Sequence, residues 1–314
     1  MCHGIGASAS IRAAVKLAYL VVSHVNPGQV LRLVRVLGEG PAAEVVVRHD
    51  QRHSRLDAAA VEEAGGRLLR DGLTVEWGGW SHLRALLAAL ERIAAELDPD
   101  WLMVLSGQDY PLRPVEQVEE RLAMAPHDAY LGHSWQLETE ALPPPPAEEF
   151  FLRYAYFHLP APRLPWFPRS IRRVVYFRER PPRFGIRRPR LPFRAGLRCW
   201  VSSDWPTLNR RALATVLRTK RDEQRLMRLY SRAVAPAESF FATALMNDPS
   251  LKVSDDDRRY VRFQPGAPSP DMLTSADLDE LQASGADFAR KFDAALDPGI
   301  LDRLDELRHT GSPR

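Results

Sequence analysis

The twelve residues WLMVLSGQDYPL, numbered 101–112, indicate more about the fold than any other stretch of this chain. The first five, WLMVL, form a short apolar run of the kind found in strands that are buried on both faces of a parallel sheet. Ser106, Gly107, Gln108 and Asp109 follow at once. Because parallel α/β sheets bind ligands beyond the carboxyl ends of their strands, these four residues are expected to border a binding site.

The residues before this stretch alternate between strand and helix patterns. Asn26-Pro27 opens a helical pattern that Gly38 ends, in keeping with the preference for proline at helix starts and glycine at helix ends. The alternation predicts an α/β fold with a mostly parallel sheet that helices cover on both faces. The remaining predicted elements of this half are strands at 17–23, 45–47 and 73–76 and a helix at 81–97.

The second half of the chain has an irregular middle and a regular end. Residues 143–198 are rich in proline, arginine and aromatic residues and show little periodicity, so we predict loops and short elements packed on the sheet. Helices are predicted at 209–218, 223–233, 237–247, 275–284 and 298–309, and a strand at 260–263.

The net charge of +3, from 43 basic and 40 acidic residues, hides an uneven distribution. Residues 151–198 contain 13 arginines and a single acid, Glu179. Such a segment, interleaved with aromatic residues, could bind RNA or an anionic membrane surface as a non-catalytic binding protein. No RNA-binding motif is present, however, and arginine is preferred throughout the chain, so we expect no nucleic-acid partner.

Cysteine content and hydropathy indicate the compartment. Cys2 and Cys199 cannot form a disulfide framework and lack the paired spacing of a zinc site. No apolar run reaches the roughly 18 residues of a membrane helix, because Lys16 interrupts the N-terminal stretch and His24 ends it. We therefore expect a cytoplasmic protein, and residues 151–198 leave open a peripheral contact with the inner membrane face.

Common nucleotide and metal motifs are absent or misplaced. Neither GxGxxG nor GxxxxGK[ST] occurs. His49 and His53 stand four residues apart without a third ligand nearby, which favours a surface loop over a metal site. Asp98-Pro99-Asp100 has the form of an Asp-X-Asp metal motif, but it precedes its strand where a metal motif should follow, so we discount it.

Eight short motifs follow one another along nearly the whole chain. They are LVVSHVNP (20–27), VVVRHD (45–50), WGGWS (77–81), LSGQDYPL (105–112), LETE (137–140), SSDWPTL (202–208), PAESFFATAL (236–245) and FARKFD (288–293). Through them the chain resembles the family of core-2/I-branching β-1,6-N-acetylglucosaminyltransferases and peptide O-xylosyltransferases, in a compact bacterial form. The resemblance implies a GT-A-like fold and an inverting, metal-independent glycosyltransferase that uses UDP-GlcNAc or, as the next choice, UDP-xylose.

The resemblance also implies which residues carry the chemistry. Glu238 matches the general base that takes the proton of the acceptor hydroxyl, and a helix-dipole role in the first turn of a helix is the alternative. Lys291 and Arg259 match the basic pair that holds the diphosphate where other enzymes use a metal, with Arg258 and Arg262 as alternatives to Arg259.

Further positions surround the nucleotide and the donor sugar. Asp50, Trp77 and His24 match the nucleotide side, where an aromatic ring can stack on uracil; a structural hydrogen bond is an equal interpretation of His24. Gly107 and Asp109 are expected to shape the sheet beneath the donor sugar rather than to bind a metal.

Acceptor binding is implied at Glu138, whose carboxylate would bond sugar hydroxyls, and at Trp205, which is equally compatible with a place in the core. A glycan, a glycolipid, a peptide or a small metabolite would each fit as the acceptor. A single domain, 1–314, is expected, with a nucleotide-sugar half at 17–135, a Pro/Arg-rich insertion at 136–200 and an acceptor and catalytic half at 201–309. No metal cofactor is expected, and the UDP-sugar is a co-substrate.

Overall fold

The computed structural model describes residues 15–160, 175–179, 182–194, 196–265, 267 and 269–310. The strands in these ranges are β1 (Leu17–Ser23), β2 (Ala43–His49), β3 (Gly66–Leu68), β4 (Trp101–Ser106), β5 (Asp109–Pro111), β6 (Ala129–Tyr130), β7 (Trp135–Leu137), β8 (Tyr156–Pro160), β9 (Val175–Glu179), β10 (Pro182–Arg187), β11 (Cys199–Val201), β12 (Thr207–Asn209), β13 (Val253–Ser254), β14 (Arg259–Val261) and β15 (Phe288–Arg290). The helices are α1 (Pro27–Leu37), α2 (Ala58–Glu63), α3 (Trp80–Leu97), α4 (Val115–Ala123), α5 (Ala147–Ala155), α6 (Arg210–Asp222), α7 (Gln224–Tyr230), α8 (Ala237–Met246), α9 (Leu278–Ala283) and α10 (Ile300–Thr310).

A seven-stranded sheet in the order β13-β6-β12-β4-β1-β2-β3 forms the centre of the described chain. Six of its strands share one direction, and β12 runs antiparallel to both of its neighbours. Side chains alternate across β1, so that Ala18 and Leu20 enter one hydrophobic cluster while Leu17, Tyr19 and Val21 enter the other. The expected fold class, an α/β domain with a mostly parallel sheet between helices, is confirmed.

Helices cover both faces of this sheet. α3, α6 and α8 contribute to the cluster on one face, and α1, α4 and α10 to the cluster on the other. In α3, Leu83, Leu86, Leu90 and Ile93 are spaced by three or four residues and all are buried, as an amphipathic helix requires. The carboxyl ends of β1, β2 and β4 therefore open between two helical layers.

The third parallel strand differs from the prediction. Residues 73–76 form no strand, and β3 pairs with β2 in their place. Backbone groups near residue 75 are satisfied by side chains: Arg48 donates to Leu73 O at 2.6 Å, and Val75 N donates to Asp50 at 3.2 Å. At Gly66 a Cβ atom would lie 2.7 Å from Val34, so glycine allows β3 to approach α1 closely. The strand predicted at 73–76 was wrong, because the side chains of Arg48 and Asp50, and not a neighbouring strand, bond the backbone of Leu73 and Val75.

The Pro/Arg-rich middle is more regular than predicted. Within 143–198 the chain forms α5 and a three-stranded antiparallel sheet in the order β8-β10-β9. Ladder pairs such as Gly185 with His158 and with Tyr176 give this sheet a defined register. The period-two pattern is short and interrupted by proline, which is why sequence alone did not reveal it.

The remaining predicted helices, and the strand predicted at 260–263, occur close to their expected positions; that strand is β14. The helix predicted at 275–284 begins as a 3-10 turn, Ser275–Asp277, in which Thr274 and Asp277 form a reciprocal capping box before α9. No helix of the described residues combines the length and the apolar character needed to cross a membrane.

Candidate active site

A small sheet carries the FARKFD segment to the carboxyl ends of β1 and β4. β15 lies between β14 and β5, and its register sets Arg290 opposite Asp109. Gln29 of α1 donates through Nε2 to the carbonyls of Gly107 and Phe292, both at 3.0 Å. Because Gln29 is buried, these bonds fix the segment at what we call the carboxyl edge, the ends of β1, β2 and β4.

Asp109 is a buried side chain that binds several residues of this edge. Its carboxylate is fully buried and accepts hydrogen bonds from the backbone N–H and the hydroxyl of Ser106, both at 3.1 Å. Two guanidinium groups reach it, with Arg290 Nε at 3.2 Å and Arg259 Nε at 3.5 Å. Asp109 therefore balances two positive charges inside the protein, and its predicted role beneath the donor sugar stays a prediction.

Arg259 lies in the interior rather than at a ligand-facing position. Its side chain is 2% exposed. Its terminal nitrogens donate to Trp205 O at 3.2 Å and to Val104 O at 3.0 Å. The alternatives Arg258 and Arg262 are each held by carboxylates. A diphosphate from solvent reaches Arg259 only if this core rearranges, so its position does not support the predicted contact.

Lys291 lies at the carboxyl edge, and the preceding Arg290 is largely buried beside it, with a side chain 10% exposed that pairs with Asp109. Lys291 is half-buried, and its Nζ donates to Ser269 Oγ at 2.7 Å. Burial lowers the pKa of Lys291 below its ordinary value, and the neighbouring charge of Arg290 lowers this pKa further. The guanidinium of Arg290 lies 4.5 Å from the ring centroid of Trp205. The predicted Lys291 therefore has Arg290, rather than Arg259, as its cationic neighbour.

Trp205 belongs to a polar cluster beside these cations. His82 Nε2 donates to Asp204 at 3.1 Å, and the rings of His82 and Trp205 meet edge to face with centroids 6.4 Å apart. Burial acts to raise the pKa of Asp204, but the hydrogen bond from His82 and the charge of Arg290 outweigh it and lower the pKa. Trp205 is thus a half-buried wall of the cluster, partly in the core and partly at the edge.

Asp50 directly follows β2 at the same edge. Its carboxylate accepts from Arg52 at 3.0 and 2.7 Å and from Val75 N at 3.2 Å. The bonds from Arg52 hold the pKa of Asp50 well below its usual range. Asp50 is therefore an ionised side chain that pins the segment leading to Trp77.

Three histidines lie near Asp50. His49 is held by hydrogen bonds, and the rings of His24 and His53 contact each other. His49 Nε2 donates to Ser54 O at 2.9 Å, which leaves Nδ1 to accept from Ser23 Oγ at 2.8 Å. Burial lowers the pKa of His49. His24 is exposed at the end of β1 and meets His53 edge to face, with centroids 5.5 Å apart. His49 is thus structural, whereas His24 faces the edge near the cations.

Trp77 projects from a loop that is tied to the start of α8. Its side chain is 63% exposed, and Gly78 follows with φ of 66°, in the left-handed region that favours glycine. Gly78 O accepts from Ala235 N at 2.8 Å. This bond joins the exposed ring to the segment that leads into Glu238.

Glu238 occupies the first turn of α8, as predicted. Its side chain is 29% exposed and forms an ion pair with Arg153 of α5, while its carbonyl accepts from Ser202 N at 2.8 Å. Arg153 also bonds Glu149 at 2.6 Å. The carboxylate is therefore accessible and held in one direction, which suits a group that must meet a proton from a bound molecule.

Two further predicted residues have local roles. The carboxylate of Glu138 is exposed and accepts from the backbone N–H groups of Thr139 and Glu140 at 2.8 and 3.0 Å. A Cβ at Gly107 would lie 2.7 Å from Ser23, so glycine lets the turn after β4 pack against β1. Among the residues that the structure describes, no three His, Cys, Asp or Glu side chains are grouped to hold a metal ion.

Four residues in contact with predicted site residues, or with their neighbours, were not predicted from the sequence. These are His82, Arg153, Asp204 and Arg290. Arg290 and Asp204 lie inside motifs quoted above, next to Lys291 and Trp205, and were passed over for their neighbours. Arg153 had no signal of its own, because it is one of 13 arginines in residues 151–198.

Comparisons with known proteins give a distant relative. No family model matches the chain. It is 26% identical to "Xylosyltransferase oxt" of Drosophila melanogaster over 321 aligned positions, which cover 93% of this chain and 33% of that protein. The chain thus spans about a third of the length of this curated relative.

Solved structures are similar to the chain at low scores. Mouse xyloside xylosyltransferase 1 in its apo form has a TM-score of 0.40 at 11% identity, over 87% of this chain and 97% of that one. A mannosyltransferase from Pyrobaculum calidifontis, in complex with GDP-Man and Mn2+, has a TM-score of 0.29 at 12% identity, over 45% and 39%. A putative glucose-1-phosphate thymidylyltransferase from Bacillus anthracis has a TM-score of 0.34 at 8% identity, over 95% and 97%. Likeness of this degree assigns no activity.

Proposed function

We propose that the chain is a glycosyltransferase that moves a sugar from a UDP-sugar to an acceptor hydroxyl with inversion at the anomeric carbon. The observation that carries the proposal is the hydrogen bond from Ala235 N to Gly78 O. It links the loop of Trp77, beside the carboxyl edge, to the segment that leads into α8. The ring proposed to bind the nucleotide and the Glu238 carboxylate are therefore held by one hydrogen-bonded connection. The similarity to a xylosyltransferase supports the same class of reaction.

The proposed reaction needs one base and one cationic site. Glu238 takes the proton of the acceptor hydroxyl while its oxygen attacks the anomeric carbon, and the bond from that carbon to the phosphate oxygen breaks. The electron pair leaves with UDP, whose diphosphate gains negative charge that Lys291 and Arg290 stabilise. We infer that Asp50 and Trp77 border the uridine and that Glu138 and Trp205 border the acceptor.

For the donor sugar we propose UDP-xylose first and UDP-GlcNAc second. The sequence motifs alone favoured GlcNAc, and the relative named as a xylosyltransferase reverses that order. A panel of UDP-sugars, with the product mass determined for each acceptor class, tests this order. Turnover of UDP-GlcNAc with UDP-xylose inert would restore the original preference.

The alternative of an anion-binding protein gains no support from Arg183, Arg187 and Arg188, although Arg190, Arg194 and Arg198 of the same segment are exposed. Arg183 donates to Glu76 at 3.1 Å, and Arg187 stacks over Phe151 at 4.4 Å. Arg188 donates to two backbone carbonyls, and burial lowers its pKa to about 10. These guanidinium groups stabilise the fold instead of forming an open basic surface; residues 161–174 of the segment lie outside the described residues.

Turnover is expected to continue without added metal. Two fixed cations can neutralise the leaving diphosphate, so saturating EDTA should change the rate of sugar transfer less than about twofold. The measurement is release of UDP from the preferred donor, with and without EDTA followed by Mn2+ or Mg2+. Complete inhibition by EDTA, with recovery on adding back one cation, would contradict the metal-independent mechanism.

Substitution of Trp77 by alanine is expected to raise the KM for the UDP-sugar about tenfold and to leave kcat nearly unchanged. Stacking on an aromatic ring is worth about 1–3 kcal/mol per base, and about 1.4 kcal/mol is a factor of ten in affinity. The exposed Met124 on the other helical layer serves as a control, because Met124→Ala removes similar exposed apolar surface. Equal KM values for both variants would exclude Trp77 from the nucleotide site.

A further inference from the structure

The helix α5 is attached to the segment that presents Glu238 by three separate contacts. Val234 N donates to Arg153 O at 3.3 Å, Tyr154 OH donates to Ala235 O at 3.2 Å, and the Arg153 guanidinium forms the ion pair with Glu238. The side chain of Arg153 is 12% exposed, so this ion pair is largely shielded from water. The attraction between two charges is stronger in a shielded pair than in a surface pair, and the charge-assisted hydrogen bond restricts the relative orientation of the two side chains.

Arg153 is itself held on both sides. Its guanidinium lies 4.6 Å from the ring centroid of Phe150, which packs edge to face on Trp135 of β7 at 5.3 Å. Its other terminal nitrogen bonds Glu149, an acid that is 59% exposed. Two carboxylates, the part-exposed Glu238 in the first turn of α8 and the solvent-exposed Glu149, therefore share a single arginine.

We propose that Arg153 is a positioning residue that directs the carboxylate of Glu238 and keeps it ionised for proton transfer. The inference rests on the proposed function, because it assigns Glu238 the role of general base. A fixed guanidinium favours the charged form of a neighbouring carboxylate and restricts its rotation. Glu149 weakens this effect, since it draws part of the same positive charge toward solvent.

Two other titratable groups lie near this ion pair. Tyr154 of α5 interacts electrostatically with Glu238, and Cys199 of β11 interacts with Tyr154. Burial raises the pKa of Tyr154 and raises the pKa of Cys199 to about 12, so both remain neutral at ordinary pH. Arg153 and Glu149 are therefore the charges that the proposal varies.

Opposite shifts in the pH dependence of kcat/KM test the proposal. Arg153→Met is expected to lower kcat about 10- to 100-fold and to raise the apparent pKa of the acid limb by about one unit or more, with the donor KM unchanged. Glu149→Gln is expected to move the same limb downward. Arg153→Lys keeps a positive charge, so it should restore the limb while recovering only part of kcat.

A matched control and two contrary outcomes complete the test. Arg92 forms an i,i+4 ion pair with Glu96 on the exposed side of α3, so Arg92→Met removes an equivalent helix pair. If the acid limb stays in place in Arg153→Met and Glu149→Gln while turnover still depends on Glu238, the positioning role is overturned and the proposed function stands. If the unaltered chain turns over no UDP-sugar, both are overturned.

Discussion

Replacing Glu238 with glutamine is expected to lower sugar transfer by about 10²- to 10⁴-fold while the protein stays folded. The amide has the shape of the carboxylate and can still bond Arg153, but it cannot accept the acceptor's proton. The loss should therefore fall on kcat, and the KM for the UDP-sugar should change little. Initial rates of UDP release and of product formation, measured with the preferred donor, give both constants.

Glu116 provides a matched control for this substitution. It is an exposed acid in the first turn of α4, as Glu238 is an acid in the first turn of α8. An acid at that position interacts with the helix dipole by about 0.3–1 kcal/mol. If Glu238 had only this role, Glu238→Gln and Glu116→Gln would show similar small losses of thermal stability and full activity, and the general-base mechanism would fail.

Replacing Lys291 with methionine is expected to reduce kcat/KM about 10²- to 10³-fold, because the leaving diphosphate loses a fixed cation at the carboxyl edge. The matched control is Lys220→Met, which removes a lysine that pairs with Glu91 on the surface. Lys291→Arg keeps the charge and should retain more activity than the methionine variant. Equal activity of Lys291→Met and Lys220→Met would exclude Lys291 from the site.

The pH dependence of Lys291 supplies a second measurement. Burial and the charge of Arg290 lower the pKa of the ammonium group below that of an ordinary lysine. The charged form that binds diphosphate is present below this pKa and is lost as the pH rises through it. Activity should therefore decline on the alkaline side earlier than an ordinary lysine allows, and Lys291→Arg should remove that decline, since arginine stays protonated.

Much of the fold could be predicted from local patterns. The apolar run of β1, the amphipathic helix α3 and the acid in the first turn of α8 were all correctly placed, because each depends on neighbours within a few residues. The third strand was misplaced, since its identity depends on the close packing of Gly66 against α1 and on Arg48 reaching Leu73. Neither contact leaves a periodic signal in the sequence.

The candidate site also contains residues that local motifs indicate and residues that only tertiary contacts reveal. Sequence reasoning predicted Glu238, Lys291 and Trp77 from compact motifs, and their roles stay predictions. It selected Arg259 as the partner of Lys291, whereas the structure buries Arg259 against backbone carbonyls and puts Arg290 at the edge. Both arginines lie on the same side of the small sheet and reach Asp109, and they differ in their remaining contacts: Arg259 bonds backbone carbonyls, whereas Arg290 stacks on Trp205.

The sequence by itself determined the α/β architecture, the order of the motifs and the chemical types required at the site, because hydrophobic periodicity and residue chemistry are local properties. Only the tertiary structure decided which cations face the carboxyl edge and which side chain holds Glu238. Those choices depend on the register of β15 against β5 and on the docking of α5 on the start of α8. Such contacts join residues tens to hundreds of positions apart, and burial, rather than residue type, sets whether a charge binds a ligand or stabilises the core.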